Sequence, residues 1–195
     1  MIRQSYKDIV TPELLRGAIE NNEYPGFLED YHVLHCLLKI YQPETFLEVG
    51  TNMGTGTKII KNALGHKGDV YSLDLPTELA HISLQHPISE GKGDLVGSKC
   101  NLPFTQLRGD SMTFDFSPFA CDGFFIDGEH DFEHPFREST EILKLSPKIV
   151  IWHDSDIPEV WRAIEMSVKF AGNYILHRIV DTRITYALRI DIANA

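Results

Sequence analysis

Basic residues, cysteines and long apolar runs are all scarce in this chain of 195 residues. Eighteen Lys and Arg stand against 28 Asp and Glu, and the resulting net charge of −10 disfavours a nucleic-acid partner, because phosphates would be repelled. No apolar run approaches the ~18 residues of a membrane span, and no signal-peptide pattern opens the chain. The three cysteines are odd in number and form no CxxC pair, which indicates reduced thiols. We therefore expect a cytoplasmic protein with neither nucleic-acid nor membrane partners.

The length suits one domain, which the pattern divides into an N-terminal helical cap over 1–43 and a core over 44–195. Helical spacing of apolar residues predicts helices over 12–22 and 27–41 in the cap. Short apolar strands then alternate with helices, and two closing strands are joined by a hairpin at 181–183. This order predicts an α/β fold with a doubly wound, mostly parallel sheet and an antiparallel C-terminal hairpin strand.

Acidic residues or histidine follow strand after strand of the predicted sheet. Ligands of such sheets bind outside the carboxyl ends of the strands. A single Asp at a strand end is as well explained by a helix N-cap, but five strand ends in succession indicate a binding edge. These positions are Glu48, Asp74, Asp110, Asp127 and the pair His153–Asp154.

A glycine-rich turn, Gly50-x-x-x-Gly54-x-Gly56, follows the first strand of the predicted core. Glycines permit tight backbone geometry and the close approach of a ligand. The spacing differs from the G-x-G-x-x-G dinucleotide fingerprint, and the chain has no P-loop. Asp74, 24 positions after Gly50, ends the next strand, where a carboxylate can accept hydrogen bonds from ribose hydroxyls. Turn and acid together predict a nucleoside site without a phosphate cradle.

The set formed by this turn, by Asp74 and by Gly109-Asp110-Ser111 resembles the class I S-adenosylmethionine-dependent methyltransferases over about Thr45 to Asp154. The resemblance implies a Rossmann-like sheet of seven strands and S-adenosylmethionine as cofactor. In that family the turn holds the methionine part, the acid binds the ribose, and residues after the third core strand flank the adenine. Carried over, the cofactor-binding residues are Glu48, Gly50, Thr51, Asn52, Gly54, Gly56, Asp74, Asp110, Ser111 and Asp127.

A second group of polar residues comprises Asp127-Gly-Glu-His130 and Trp152-His153-Asp154, which follow neighbouring predicted strands. Mixed carboxylate and imidazole ligands suit Mg²⁺, Mn²⁺, Fe²⁺ or Zn²⁺. His130 and His134 are four residues apart, which is also a metal-ligand spacing if they share a helix face.

These residues also resemble a narrower branch of the family, small-molecule O-methyltransferases with a D-G-x-H motif and a W-H-D or similar motif. The resemblance implies Asp127, His153 and Asp154 as ligands of Mg²⁺ or another divalent metal, and His130 as the general base that deprotonates a small-molecule hydroxyl. His153 stands where an acid would serve as third ligand, which puts Mg²⁺ in doubt relative to softer metals. The apolar stripes of the cap helices fit packing on the sheet or a homodimer interface equally well.

Other functions are compatible with parts of the pattern. A metal-dependent hydrolase or oxygenase would use His130, His153 and the acids, but neither reaction needs a nucleoside site. A cofactor-binding module without turnover is the non-enzymatic alternative, and the glycine spacing disfavours a nicotinamide-dependent oxidoreductase. Residues 75–103 form the longest irregular stretch, and we expect them to cover the cofactor.

Overall fold

The computed structural model describes residues 1–18, 27–65, 68–76, 78–79 and 95–193. Within them the chain forms one eight-stranded sheet in the order β1-β7-β8-β6-β5-β2-β3-β4. The strands are β1 (Ile2–Gln4), β2 (Thr45–Val49), β3 (Asp69–Asp74), β4 (Thr105–Arg108), β5 (Gly123–Ile126), β6 (Ile149–Trp152), β7 (Tyr174–Ile179) and β8 (Thr185–Arg189). Only β8 runs antiparallel to its neighbours, β6 and β7.

Helices cover both faces of the sheet. They are α1 (Tyr6–Ile9), α2 (Leu28–Tyr41), α3 (Thr55–Leu64), α4 (Glu133–Lys144), α5 (Pro158–Ala171) and α6 (Ile190–Ala193). Successive strand residues point to opposite faces, so Phe46 packs in the core beneath α2 and α3 while Leu47 packs in the core beneath α4 and α5. The doubly wound architecture predicted from the sequence is confirmed.

The strand count differs from the prediction, because the described part of the chain forms eight strands and not seven. The additional strand, β1, is three residues long and pairs in parallel with β7 at the edge of the sheet. A strand this short and this exposed carries too little apolar alternation to be recognised from the sequence.

The helix predicted over 12–22 is wrong in its first half. Residues 12–17 form turns, and Gly17 has a φ of +80°, a left-handed conformation that interrupts a right-handed helix. Residues 19–26 lie outside the described part of the chain. The second predicted helix is confirmed as α2, which ends at Gln42 in a left-handed conformation directly before Pro43.

The strand order determines where the topological switch point of the sheet lies. From β2 the chain proceeds outward through β3 and β4 and then returns to β5 on the other side of β2, so the switch point lies between β2 and β5. Val49 pairs with Ile126 at this point, and the residues that follow both strands meet there. No helix among the described residues is long and apolar enough to cross a bilayer.

Candidate cofactor and acid–imidazole site

The glycine-rich turn lies at the switch point, where other backbone segments of the chain pack tightly against it. Gly50 has a φ of +98°, and a Cβ there would collide with the carbonyl oxygen of Asp127. Gly54, with a φ of +89°, lies so close to Gly97 that a Cβ would stand 2.9 Å from the Gly97 Cα. Among the described residues, these glycines therefore allow two backbone segments to pack closely. From the sequence alone, this role cannot be distinguished from close approach of a ligand.

Glu48 is the buried acid beneath this turn. It is 1% exposed, and its Oε2 accepts hydrogen bonds from Thr57 and Ser72, both at 2.5 Å. Its Oε1 has no hydrogen-bond partner among the described residues, and it occupies the space that a Cβ on Gly56 would need. Burial raises the pKa of Glu48 to about 8 despite the two hydroxyl donors. A neutral carboxyl group is thus favoured under the glycine-rich turn.

Asp74 ends β3 beside the same turn, as predicted. Its Oδ2 accepts the Asn52 N–H at 2.6 Å and its Oδ1 accepts the Leu75 N–H at 2.8 Å. Burial raises the pKa of Asp74, and the backbone donors partly oppose that effect. Each carboxylate oxygen keeps a second acceptor site, so two ribose hydroxyls can still be bound. The Asn52 bond also fixes Asn52 in its left-handed conformation, with a φ of 45°.

The loop after β4, which was predicted to flank an adenine, is held by α4. Asp110 is exposed and its Oδ1 accepts the Met112 N–H at 2.9 Å. Arg137 of α4 donates to the carbonyl oxygens of Ser111 and Phe114 at 2.5 and 2.9 Å. Asp110 and Ser111 therefore lie at the carboxyl end of β4, in a loop whose backbone is held by hydrogen bonds from Arg137.

Four residues form an acid–imidazole cluster at the ends of β5 and β6, next to the glycine-rich turn. The His153 Nδ1 lies 2.7 Å from the Asp154 Oδ2 and 3.3 Å from the Asp127 Oδ1. The His130 Nε2 lies 3.0 Å from the same Asp154 oxygen. The structure thus brings together the predicted base and all three predicted metal ligands.

Asp30 and Arg183 join the cluster, and the sequence did not point to either. Asp30, in the first turn of α2 and 3% exposed, lies with its Oδ2 3.3 Å from the His153 Nε2. Its Oδ1 accepts the Arg183 N–H at 2.9 Å. The Arg183 guanidinium lies 3.6 Å from Asp154 and 4.4 Å above the Phe27 ring. An acid early in a helix is typical of a solvated helix end, so no local signal marks Asp30.

Charges within the cluster shift the pKa values in opposite directions. Burial by itself would lower the pKa of His153, but the carboxylates of Asp127, Asp154 and Asp30 outweigh it and raise that pKa well above its usual value. The pKa of His130 is raised in the same way, because Asp154 and Asp127 outweigh the effect of burial. Burial opposes ionisation of Asp154, yet the two histidines hold its pKa well below its usual range.

The donor set fits a divalent cation. Asp127, His153 and Asp154 each offer one ligand atom, and these atoms lie within 4.8 Å of one another. The carboxylate of Asp30 on the far ring nitrogen is the kind of outer partner that orients a metal-ligating histidine. Because the pKa of His153 is raised, an ion would have to displace the Nδ1 proton.

His134 lies outside this cluster. His130 precedes α4 and is not helical, so the two histidines do not share a helix face. The His134 backbone N–H and the His134 Nδ1 both pair with Asp131, at 2.9 and 2.8 Å. The spacing of four residues therefore reflects a capped helix start rather than a ligand pair.

The expectation that residues 75–103 cover the cofactor falls largely on residues 77 and 80–94, which lie outside the described part of the chain. The described end of that stretch contacts the glycine-rich turn. The Gly97 N–H donates to the Asn52 carbonyl and the Lys99 N–H to the Met53 carbonyl, both at 2.8 Å. That residues 75–103 cover the cofactor stays a prediction.

Comparison with known proteins gives structural matches only. No protein-family model matches the chain, and no curated protein matches it significantly. Solved structures that it resembles include an O-methyltransferase from Bacillus cereus in complex with SAH, with 16% identity, a TM-score of 0.55, and coverage of 91% of this chain and 85% of that one. Another is the O-methyltransferase TomG from Streptomyces achromogenes, involved in tomaymycin synthesis and solved with SAM, with 19% identity, a TM-score of 0.52, and coverage of 92% and 90%. A third is the SAH-bound methyltransferase PaMTH1 from Podospora anserina, with 10% identity, a TM-score of 0.56, and coverage of 91% and 85%. The chain therefore has the fold of these methyltransferases.

Proposed function

We propose that the protein is an S-adenosylmethionine-dependent O-methyltransferase that acts on a small-molecule hydroxyl. One observation carries the proposal: Gly50 of the turn packs directly against the carbonyl of Asp127, so that the nucleoside-type turn and the acid–imidazole cluster adjoin at the switch point. A hydroxyl held at the cluster would stand next to a methyl donor held at the turn. The fold shared with SAM- and SAH-bound methyltransferases supports the same function.

Methyl transfer is a direct displacement at the sulfonium carbon, so the protein contributes chiefly orientation and proton removal. Asp74 and Asn52 would position the ribose, and Glu48, Gly50, Thr51, Gly54 and Gly56 would surround the methionine part. Asp110 and Ser111 would flank the adenine. His130 would take the hydroxyl proton on its Nδ1, because its Nε2 carries the N–H that faces Asp154 at 3.0 Å, and the Asp154 carboxylate would stabilise the imidazolium that results.

A divalent cation is a further part of the proposal. Asp127, His153 and Asp154 would hold it. Bound there, a cation would supply Lewis-acid lowering of the pKa of the acceptor hydroxyl. The cytoplasmic location, the small-molecule partner and the homodimer stay predictions.

Calorimetric titration with S-adenosylmethionine and S-adenosylhomocysteine tests the cofactor assignment. We expect micromolar binding by the wild type and at least tenfold weaker binding by Asp74→Ala, because the ribose would lose its carboxylate acceptor. Asp69→Ala, at the exposed other end of β3, is the matched control and should bind as the wild type does. Absence of binding by folded wild-type protein, with and without Mg²⁺, would refute the proposal.

The acid–imidazole cluster also favours a second candidate, a metal-dependent hydrolase or oxygenase. Its donor set is compatible with Zn²⁺ or Fe²⁺ as well as with Mg²⁺. Metal analysis of the purified protein distinguishes the two. Stoichiometric Zn or Fe together with no affinity for S-adenosylmethionine would favour the second candidate over the methyltransferase.

A further inference from the structure

Asp30 is the one acid of the described α2 residues that the fold buries beside the acid–imidazole cluster. A buried carboxylate is costly unless it is paired. Asp30 does not serve to cap the helix, since α2 has Phe27 at its N-cap and no side-chain capping bond. Its two oxygens contact the backbone of Arg183 and the ring of His153 instead. The position of this acid is therefore explained by the site and not by the helix.

From these contacts we infer that Asp30 is a positioning residue, which holds His153 by its Nε2 and thereby directs the His153 Nδ1 to Asp127 and Asp154. The imidazole ring has only two nitrogens, so fixing one of them fixes which atom faces the opposite side. With Nε2 facing Asp30, Nδ1 lies 2.7 Å from the Asp154 Oδ2. A ring turned over by 180° would exchange Nδ1 with Cδ2 and Nε2 with Cε1, and would therefore present carbon to Asp30 on one side and to Asp127 and Asp154 on the other.

Asp30 reaches Asp154 by a second route. The bond from the Arg183 N–H to the Asp30 Oδ1 ties the β7–β8 hairpin to the start of α2. The Arg183 side chain in turn lies 3.6 Å from the Asp154 Oδ1. Both oxygens of Asp154 therefore face a group that Asp30 restrains: His153 on one side and Arg183 on the other. The consequence for turnover rests on the proposed function, whereas the ring orientation does not.

The test uses Asp30→Asn, which keeps the shape of the side chain. Its single amide oxygen should stay on the Arg183 N–H, the shorter of the two bonds. The amide NH₂ would then face the His153 Nε2 and could donate only to an unprotonated nitrogen. We expect the proton on Nε2 to be lost in this variant. Glu29→Gln, at an exposed position one residue earlier on α2, is the matched control.

The direct readout is the ¹⁵N NMR spectrum of the imidazole nitrogens at one pH, without cofactor, with His153 assigned by comparison with His153→Gln. The wild type and Glu29→Gln should show a protonated Nε2, and Asp30→Asn an unprotonated one. Folding of each variant is checked by thermal unfolding. A folded Asp30→Asn protein whose His153 signals match the wild type would overturn the inference, as would a wild-type Nε2 without a proton.

Kinetics supply the second readout. For methyl transfer to a hydroxyl acceptor, Asp30→Asn should lower kcat by about 10- to 100-fold, the usual cost of losing such an outer partner. The dissociation constant of S-adenosylmethionine should change less than twofold, because the two oxygens of Asp30 contact Arg183 and His153, which are not residues of the turn. An unchanged kcat with an altered His153 spectrum would refute the catalytic role alone, and absence of cofactor binding by every protein would refute the proposed function alone.

Discussion

His130 and Asp154 together set the pH at which the proposed base can work. The contact at 3.0 Å stabilises the protonated imidazole, so the pKa of His130 lies above 6.5. A base must first lose its proton, and the rate of methyl transfer should therefore rise with pH through a midpoint above 6.5. Asp154→Asn removes the charge and should lower that midpoint, while Asp131→Asn, which changes the partner of His134, should leave it in place. An equal midpoint in Asp154→Asn and the wild type would contradict this account.

Replacing the base separates its role in turnover from any role in binding. We expect His130→Ala to lose about 10²- to 10⁴-fold in kcat, the usual contribution of a general base, with an almost unchanged affinity for S-adenosylmethionine. Single-turnover kinetics and calorimetry measure the two quantities. A loss of cofactor affinity along with activity would mean that His130 has a structural role.

At the residue scale, the sequence predicts the functional residues at the strand ends better than it predicts the distant residues that contact them. Asp127, His130, His153 and Asp154 follow two adjacent parallel strands, and strand pairing alone brings such residues together. Asp30 comes from a helix 97 or more positions away, and only the packing of α2 against the sheet and the hairpin reveals its contacts. Residue patterns carry no information about such a long-range pairing.

At the scale of elements, the β2–α3 turn packs against the end of β5 because Gly50 has no side chain. Gly50→Ala would place a methyl group against the carbonyl of Asp127 and would also strain a residue with a φ of +98°. Gly172→Ala is the matched control, because Gly172 has a φ of +72° but open space around its Cβ position. The control should lose about 1–3 kcal/mol of unfolding free energy from strain alone.

We expect Gly50→Ala to lose more stability than this control and also to lose affinity for S-adenosylmethionine, which Gly172→Ala should keep. Urea unfolding and calorimetry measure both. Equal stabilities and equal affinities of the two variants would show that the turn can move away from Asp127 at no cost.

Elements with strong apolar periodicity could be predicted to within a residue or two, whereas short ones could not. The helix predicted over 27–41 is α2 at Leu28–Tyr41, because Pro25-Gly26 and Gln42-Pro43 border it in the sequence. β1 and α1 are three and four residues long. β1 pairs with β7 and α1 packs on α2, and a local sequence pattern shows neither contact. The turns at 12–17 show the opposite error, in which local helical spacing is overridden by a left-handed Gly17.

At the scale of the whole molecule, two buried acids make the stability depend on pH. Burial raises the pKa of Glu48 to about 8 and that of Glu138 to about 7. Both groups bind a proton more tightly in the folded state than in the unfolded state. Each therefore contributes stability at low pH that is lost as the pH rises from its unfolded pKa, near 4.5, to its folded pKa.

Buried histidines act in the opposite sense over the lower part of this range. Burial lowers the pKa of His35 to about 4, and it also lowers those of His32 and His177. These groups bind protons less tightly when folded, so their contribution grows as the pH rises toward 6.5. The two effects oppose each other below pH 6.5. Above it the histidine contribution is complete, and the raised pKa values of Glu48 and His153 leave a net loss of stability with increasing pH.

The unfolding free energy should therefore fall between about pH 6.5 and pH 8, and Glu48→Gln should reduce the slope. A single group that is protonated in the folded state and ionised in the unfolded state changes the slope by at most about 1.4 kcal/mol per pH unit. Glu44→Gln, at an exposed position on the approach to β2, should keep the wild-type slope. Urea unfolding curves at several pH values measure all three proteins. If Glu48→Gln and the wild type lose stability in parallel, Glu48 is ionised in the folded protein and the acid beneath the glycine-rich turn carries a charge at neutral pH.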